Sequence, residues 1–377
     1  MRGPDVFVVA DNVFTPLGKT TAENFANLKK NMSAVREHHD TAISKQPFYA
    51  ALFDKNESRL SNAKDYTKFE QLLIASIENA LSQGGFDASD NKTVLIISST
   101  KGNISLLETE KNNKELQNRI ALSTSTKLVA GYFGFINQPV IISNACVSGV
   151  MAIITGMRLL RAGQYENAVI VGADVISEFI LSGFQSFQAL SPRVCKPFDK
   201  SRDGLNLGEG AGTIILSVNN KYAQNIKVKG GGISNDANHI SGPSRTGQEL
   251  SYAINQSIKD ANLTASDIDF ISAHGTATVY NDEMEANAIA LSGLETVPLN
   301  SLKGYYGHTL GAAGLIESII SMQSLKENLF IATPGFDEIG VSQPVNVIAS
   351  HLHLEAGNIL KTASGFGGCN AAVVFGK

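Results

Sequence analysis

Residues 139–157 read PVIISNACVSGVMAIITGM, a stretch of 19 residues without a charge. Its length approaches the ~20 residues of a membrane-spanning helix, but the polar Ser143 and Asn144 interrupt it. A short β-branched run, then small residues, then a longer run rich in Ala, Gly, Ile and Met are typical of a strand followed by a buried helix. We therefore predict a strand over residues 140–143 and a helix over residues 147–161.

Similar uncharged runs lie on both sides of this stretch. Residues 94–98, 168–172 and 213–218 are rich in aliphatic and β-branched side chains, as expected of strands that are covered on both faces. Residues 69–83 carry apolar side chains at helical spacing, and this pattern stops at Gly84. The alternation of strands and helices predicts a layered α/β fold.

The second half of the chain repeats this order of elements, although residue identities are not repeated. The predicted equivalences are residues 5–12 with 227–234, 94–98 with 270–273, 140–143 with 298–301, 147–161 with 311–325, 168–172 with 345–349, and 213–218 with 371–375. We predict two duplicated halves, residues 1–222 and 223–377, that join near residues 219–225. The polar residues 41–65 and 101–127 are predicted to be irregular surface segments.

The composition restricts the class of protein. Hydrophobic residues make up 43% of the 377 residues and charged residues only 18%, which excludes a disordered chain and indicates extensive burial, within the fold or in an oligomer. The net charge of −4 gives no basic surface for nucleic acid. Three cysteines cannot all pair within one chain, so we expect a reducing, cytoplasmic location. Because polar residues interrupt the uncharged stretch at residues 139–157, we expect no membrane partner.

The duplication places two reactive side chains at matching strand-to-helix turns. Cys146 precedes the helix of the first half, and His308 precedes the equivalent helix of the second half. A cysteine at a helix N-terminus is expected to gain thiolate character from the helix dipole. His274 follows the strand at residues 270–273, and ligands usually bind at such strand ends in α/β folds. Cys146, His274 and His308 are therefore the candidate catalytic residues.

Two other kinds of site are disfavoured by the sequence. The glycines of GEGAG (residues 208–212) precede a strand instead of opening a helix, and Glu209 would repel a phosphate, so a nucleotide loop is not predicted. The three cysteines form no Cys-x-x-Cys pair, so we expect no metal site.

Several motifs together resemble those of one enzyme family, the β-ketoacyl-acyl carrier protein synthases. The chain is similar to the elongating ketosynthases whose active site contains one cysteine and two histidines. The resemblance runs from about residue 5 to the C-terminus. The matching segments are NACVSG (144–149), KPFDK (196–200), RDG (202–204), GEGAG (208–212), AHGTAT (273–278) with Asn281, Asp282 and Glu285, KGYYGHTLGAAG (303–314) with Glu317, and GFGGCN (365–370).

This resemblance implies a fold, a reaction and a set of partners. The fold is the thiolase fold, two duplicated halves in a five-layered αβαβα arrangement, usually in a dimer. The reaction is a decarboxylative Claisen condensation between an acyl-enzyme and malonyl-acyl carrier protein, in fatty acid or polyketide chain elongation. No resident cofactor or metal is implied, because phosphopantetheine arrives on the carrier protein. The expected partners are an acyl carrier protein and a second subunit, identical or related.

The resemblance also implies a role for each matching residue. Cys146 would carry the acyl group, and the amides of Cys146 and Phe366 would form the oxyanion hole. His274 and His308 would stabilise the enolate, with Lys303 and Glu317 ordering them. The remaining implied contacts are Thr276, Thr278 and Ser241 to the pantetheine arm, and Lys64, Lys68 and Arg202 to the acidic carrier protein.

The sequence departs from the family pattern at one position directly before the last motif and at one position within it. Ser364 stands where a bulky Phe is common, which puts an acyl-dependent gate in doubt, and Cys369 stands where Thr is common. Cys369 also keeps open a thiolase-type acyltransferase that uses coenzyme A substrates and a second cysteine. A further alternative is the ketosynthase subunit of a hetero-oligomer with a partner resembling a chain length factor. The acyl chain type and the pathway are not determined by the sequence.

Overall fold

A computed structural model of the chain describes residues 3–54, 65–83, 86–223, 225–237 and 242–377. In the first half, the strands are β1 (Phe7–Phe14), β2 (Arg36–His38), β3 (Phe48–Ala51), β4 (Thr93–Ser98), β5 (Val140–Ile142), β6 (Asn167–Asp174), β7 (Leu207–Gly208) and β8 (Gly210–Ser217). The helices are α1 (Thr21–Leu28), α2 (Lys68–Ser82), α3 (Leu106–Thr109), α4 (Lys114–Ile120), α5 (Leu122–Phe133), α6 (Ser148–Arg161) and α7 (Glu178–Ser186).

The second half continues with the same kinds of element. Its strands are β9 (Lys227–Asn235), β10 (Phe270–Ser272), β11 (Pro298–Asn300), β12 (Leu329–Phe330), β13 (Asn346–Val347), β14 (Leu352–His353), β15 (Asn358–Gly365) and β16 (Cys369–Gly376). Its helices are α8 (Gln248–Asp260), α9 (Val279–Leu291), α10 (Lys303–Tyr306) and α11 (Ala313–Glu327). Short 3-10 turns cover Asn220–Tyr222, Ala265–Asp267 and Leu310–Ala312.

The sheet topology shows the duplication directly. The first half has the strand order β5-β4-β6-β8-β1, and the second half has β11-β10-β15-β16-β9, with β13 added at its edge. In both halves the first three strands are parallel and the last two are antiparallel to their neighbours. The two sheets meet where β1 pairs with β9, through Val8 N to Ile226 O and Val228 N to Val6 O.

Helices cover both faces of each sheet, so the fold has five layers. α2 packs on β1, β6 and β8, and α8 packs on β9 and β16. Between the two sheets, α6 and α11 contact each other and strands of both halves. The central layer holds the largest apolar core, from Val150 and Ile153 of α6 to Leu315 and Ile319 of α11. This arrangement is the predicted αβαβα order, and apolar side chains on both faces explain the scarcity of charge in the strands.

The two central helices approach unusually closely near their N-termini. A side chain in place of Gly149 on α6 would lie 2.8 Å from the Leu315 amide nitrogen. One in place of Gly314 on α11 would lie 2.6 Å from the Val150 amide nitrogen. Because both positions are glycine, the two helix starts can touch, and the turns that precede them are brought together.

Two expectations about the elements are wrong. The counterpart of β6 is β15 and not the segment at residues 345–349, which forms the short edge strand β13. Residues 101–127 are not irregular, because α3, α4 and the start of α5 lie there, and the stretch is anchored by the ion pair of Arg119 with the buried Glu70. Residues 41–65 include β3, while residues 55–64 lie outside the described part of the chain.

The uncharged stretch at residues 139–157 is a strand and a helix, as expected. It is divided between β5 and the buried helix α6. Among the described helices, we find none with the length and apolar character needed to cross a bilayer.

Candidate active site

The predicted catalytic residues open onto one cavity at the junction of the two halves. This cavity has a volume of about 520 Å³. Its wall includes Cys146 from the first half, and His274, His308 and Phe366 from the second half. The close contact of α6 with α11 explains this convergence, since Cys146 and His308 lie just before the two helices.

Cys146 lies in a strained turn directly before α6. Ala145 has a φ of 43°, in the left-handed region, and the Ser148 hydroxyl donates to Ala145 O and accepts from Asn144 N, which fixes the turn. The Cys146 side chain is only 6% exposed. Burial raises the pKa of its thiol to about 12, although the nearby Lys303 ammonium acts in the opposite direction. The expectation of a thiolate is therefore wrong for the substrate-free site, where the protonated thiol prevails.

The two histidine rings stand edge to face, with their centroids 5.3 Å apart. Burial and then the positive charge of Lys303 push the pKa of both imidazoles well below the usual value, so both rings are neutral. The backbone of His308 is held by β7 and the residue before it, with His308 N donating to Asn206 O at 2.6 Å and Gly208 N donating to His308 O. Neither ring nitrogen of His308 has a hydrogen-bond partner among the residues that the structure describes.

Lys303 lies behind His274 and is fully buried. Its Nζ is 3.5 Å from His274 Nδ1 and donates to Glu317 Oε1 at 2.6 Å. An ammonium group has no acceptor, so Nδ1 must be the accepting nitrogen and the ring proton lies on Nε2. Burial raises the pKa of Glu317, but Lys303 and Lys361 outweigh burial and hold the pKa below its usual value. His274 thus becomes a neutral hydrogen-bond donor through Nε2.

The turn that carries His274 is fixed by two buried carboxylates of α9. Glu285 accepts from His274 N and Gly275 N at 2.8 and 2.7 Å. Asp282 accepts from Thr276 N at 2.8 Å, and burial raises its pKa to about 6. The hydroxyls of Thr276 and Thr278 are 2.8 Å apart, and both residues line the cavity.

The loop after β15 brings Phe366 to the nucleophile turn. A β-carbon in place of the Gly365 hydrogen would lie 3.0 Å from the Cys146 amide nitrogen and 3.0 Å from Cys369 Sγ, so the two turns are tightly packed at this glycine. Phe366 packs against Phe184 and Phe187, with ring centroids at 5.9 and 5.3 Å. These three aromatic rings lie on the cavity wall beside Cys146.

The other residues singled out from the sequence, for the carrier protein, the pantetheine arm and the acyl-dependent gate, do not all lie at the cavity. Lys68 Nζ is 2.7 Å from both carboxylate oxygens of the buried Glu209, and it is still 46% exposed. The Arg202 guanidinium donates to the backbone carbonyls of Asp199 and Gly340. Ser241 and Lys64 lie outside the described residues. Ser364 lines the cavity and donates to Asn370 Oδ1 at 2.8 Å.

Two buried charged residues of this region were missed by the sequence reasoning. Asp174, at the end of β6, accepts from Ser99 and Thr100 of the first half and from Gly311 N of the second half, which ties the two halves together beside the site. Lys361 of β15 contacts Glu317 Oε2 at 2.6 Å. The sequence contains a weak indication of each residue. Asp174 closely follows a predicted strand, and Lys361 is the one charged residue between Glu355 and Lys377.

Comparison with known proteins identifies the family of the chain. The family model described as "Beta-ketoacyl synthase, N-terminal domain" matches residues 4–221, and its C-terminal domain model matches residues 226–337. The chain belongs to the β-ketoacyl synthase family. The resemblance drawn from the motifs is thereby confirmed, and this synthase is an acyltransferase of the condensing-enzyme type.

Relatives of the synthase match it over nearly its whole length. The 3-oxoacyl-acyl-carrier-protein synthase 2 of Vibrio harveyi is 29% identical over an alignment 409 positions long, gaps included, which covers 99% of this chain and 98% of the relative. A β-ketoacyl synthase from Burkholderia phymatum has a TM-score of 0.90 at 25% identity, with 99% of each chain covered. A structure of a ketosynthase with its chain length factor from Xenorhabdus doucetiae has a TM-score of 0.87 at 25% identity, covering 99% of this chain and 98% of that one. The predicted thiolase fold is confirmed by these neighbours.

Proposed function

We propose that this synthase condenses an acyl group on Cys146 with malonyl-acyl carrier protein to give β-ketoacyl-acyl carrier protein and CO₂. The reaction would elongate a fatty acid or polyketide chain in the cytoplasm. The supporting observation is that Cys146, on residues 1–222, shares one cavity with His274 and His308, on residues 223–377. A thiol beside two neutral imidazoles suits acyl transfer followed by enolate formation.

In the first half-reaction, Cys146 takes the acyl group from a carrier-protein thioester. Sulfur attacks the carbonyl carbon as the thiol loses its proton, the tetrahedral intermediate collapses with cleavage of the bond to the carrier sulfur, and the proton ends on that sulfur, which leaves as the carrier thiol. The amides of Cys146 and Phe366 are the proposed donors to the oxyanion, and the close approach of Gly365 to the Cys146 amide supports this pairing.

In the second half-reaction, the malonyl group loses CO₂. The electron pair of the broken C–C bond forms an enolate, whose oxygen accepts hydrogen bonds from His274 Nε2 and His308. The enolate carbon then attacks the acyl carbonyl on Cys146, and the sulfur leaves and recovers a proton. Neutral imidazoles suit this step, because they donate to the developing charge without forming a stable ion pair with the malonyl carboxylate.

The pantetheine arm and the carrier protein need surfaces beside the cavity. We assign Thr276 and Thr278 to the arm, because both hydroxyls lie at the cavity wall, and Ser241 is a further candidate. Lys64, Lys68 and Arg202 are proposed docking residues for an acidic carrier protein. This chemistry requires no resident cofactor or metal, since phosphopantetheine comes with the substrate.

One observation weakens the thiolase alternative. Cys369 Sγ is 3.3 Å from Phe366 O and 3.7 Å from Asn144 O, and Cys146 is the only cysteine among the described residues that line the cavity.

An observation on the fold favours the second alternative, in which the chain binds a partner subunit. β5 lies at the sheet edge with half-buried Val140, Ile141 and Ile142, so we propose a dimer with a second copy or with a partner resembling a chain length factor.

The proposal is tested by supplying the purified chain with acyl-carrier proteins of different chain types together with malonyl carrier protein. We expect CO₂ release and a β-ketoacyl-carrier product from the carrier substrates, and little product when acyl-coenzyme A and acetyl-coenzyme A replace them. Product formed from the coenzyme A pair alone would indicate a thiolase. Activity that appears only after a second subunit is added would identify a hetero-oligomer.

A further inference from the structure

Lys361 is a buried charge in a strand that is otherwise apolar on the same face. β15 alternates its side chains, so Ile359, Lys361 and Ala363 face the central helices, and Ile359 and Ala363 belong to the apolar core there. The Lys361 side chain is 0% exposed. Burial of an ammonium in such a place is unfavourable unless the charge is paired and its donors are satisfied, so its partners indicate what holds it there.

Three acceptors surround the Lys361 ammonium. Glu317 Oε2 lies at 2.6 Å, and the carbonyl oxygens of Ala273 and Ser272 lie at 3.0 and 3.2 Å. These two carbonyls belong to the residues directly before His274. Lys361 therefore joins the carboxylate of α11, by an ion pair, to the strand end that carries a catalytic imidazole, by hydrogen bonds to its two carbonyls.

The Glu317 carboxylate is shared between two ammonium groups. Its Oε1 lies 2.6 Å from Lys303 Nζ, and its Oε2 lies 2.6 Å from Lys361 Nζ. With one lysine alone, the free carboxylate oxygen would have to be desolvated without a partner. With two, both oxygens have a cation, and the Lys303 ammonium also stays 3.5 Å from His274 Nδ1.

The two other carboxylates near Lys361 have separate partners, and the second imidazole lies nearby. Glu285 of α9 binds the amides of His274 and Gly275 and accepts from the Thr362 hydroxyl at 2.6 Å. Asp282 binds the amides of Phe198 and Thr276. His308 faces the cluster from the turn before α11, and both imidazoles feel the positive charge of Lys361.

We propose that Lys361 is a second positioning lysine for the decarboxylation step, which locks Glu317 to the strand end before His274 and so keeps Lys303 on the Nδ1 side of that ring. The inference rests on the proposed function. Lys361 is not among the described residues that line the cavity, so we infer that it acts through His274 and Glu317. Acyl transfer to Cys146 does not use the histidines as enolate donors, and the two half-reactions should respond differently when Lys361 is replaced.

The test compares Lys361→Met with the wild-type enzyme in both half-reactions. We expect acylation of Cys146, followed by intact-protein mass spectrometry, to stay within about threefold of wild type, and CO₂ release from malonyl carrier protein to fall at least tenfold. In a plot of the rate of CO₂ release against pH, the loss of activity on the acid side should also move to higher pH. Loss of a nearby cation makes protonation of His274 and His308 easier, so the neutral rings are lost at a higher pH.

Three further variants separate positioning from folding. Lys361→Gln retains hydrogen-bond donors without the charge and should show the same split, whereas Lys361→Arg should recover part of the CO₂ release. Arg119→Met removes a comparable partner from the buried Glu70, far from the histidines in sequence and on a different helix, and should leave the ratio of the two half-reactions unchanged.

The remaining outcomes reject either the positioning role of Lys361 or the proposed function of the enzyme. An equal loss of both half-reactions with no shift of the loss of activity on the acid side, or failure of all Lys361 variants to yield protein that can be acylated, would overturn the positioning role and leave a structural one. If the wild-type enzyme is acylated and releases CO₂ but the Lys361 variants behave like it, this inference alone fails. If the wild-type enzyme does neither with any carrier substrate, the proposed function itself fails.

Discussion

At the scale of single residues, the protonation state of Cys146 is decided by two opposing effects. A helix N-terminus stabilises a negative charge by about 0.3–1 kcal/mol, and by ~2 kcal/mol in favourable cases, which corresponds to ~1.5 pKa units at most. Burial raises the pKa of the thiol from its ordinary 9.0 to about 12, a larger change. Burial therefore outweighs the helix N-terminus, and the protonated thiol is favoured in the substrate-free site.

This balance predicts the effect of removing Lys303. Because the Lys303 ammonium lowers the pKa of Cys146, Lys303→Met should raise that pKa further and leave less thiolate at any pH. We expect alkylation of Cys146 by iodoacetamide at pH 8 to slow at least threefold, measured by mass spectrometry. Lys92→Met, which removes a surface ion pair with Glu166, serves as the control and should alkylate at the wild-type rate. Equal rates in all three proteins would refute the electrostatic role of Lys303.

The two histidines are predicted to act after acylation. His274 presents Nε2–H because Lys303 occupies the Nδ1 side, and both nitrogens of His308 lack partners in the described structure. We expect His274→Ala and His308→Ala to accept an acyl group at Cys146 but to lose at least 100-fold in CO₂ release, as is usual when a donor to an oxyanion is removed. Carbon dioxide release at the wild-type rate in both variants would rule out the assigned role.

At the scale of secondary-structure elements, the pair of Glu70 and Arg119 anchors α4 to α2. Glu70 also forms a capping box with Thr67 at the start of α2. Burial alone would raise the pKa of Glu70, but its hydrogen bonds, with Arg119 foremost, lower it to about 2. The carboxylate is thus charged in the folded state. Its ion pair with Arg119 connects α4, which lies within residues 101–127, to α2.

Because of the Glu70–Arg119 ion pair, the free energy of unfolding should fall as the solution becomes acidic. The pKa of Glu70 is about 2 in the folded chain and near 4.5 in the unfolded chain, so its contribution is complete above pH ~4.5 and is lost as the pH falls from there towards 2. We expect Glu70→Gln to lower the free energy of unfolding by roughly 2–3 kcal/mol at pH 7 in urea titrations, and by less at pH 3.5. The exposed Glu166→Gln should cost below ~0.5 kcal/mol. A deficit for Glu70→Gln that does not shrink at low pH would be inconsistent with this account.

The elements that could be predicted are those with a local signal. β4, β8 and residues 168–172 of β6 are uncharged and rich in aliphatic side chains, and α2 and α6 have apolar side chains at helical spacing, so their own residues identify them. β15 was missed because Lys361, Thr362 and Ser364 interrupt its apolar pattern. That strand is stabilised by its partners in the fold, such as Glu317 and Glu285, which a local reading does not reveal.

The candidate active site likewise contains residues with a local signal in the sequence and residues that depend on distant partners. Cys146, His274 and His308 could be named because each follows a predicted strand, and the duplication puts two of them at equivalent turns. Asp174 and Lys361 could not, since their importance depends on acceptors and donors far away in sequence. A buried charge is recognised only when its neighbours are known.

At the scale of the whole molecule, duplication places the site on the boundary between two similar halves. The halves meet along β1 and β9 and through the glycine contact of α6 with α11. Each half then contributes one strand-to-helix turn to the same cavity, the first with a thiol and the second with an imidazole. The low proportion of charged residues follows from two sheets that are each covered on both faces.

The central claim is that Cys146 carries the acyl group during catalysis, and one measurement tests it most directly. The wild-type chain and Cys146→Ala are incubated with an acyl-carrier protein, and their intact masses are recorded before and after malonyl carrier protein is added. We predict that the wild-type chain gains one acyl mass, which malonyl carrier protein removes, while the folded Cys146→Ala chain gains none. An acyl adduct of the same size on Cys146→Ala would contradict the account.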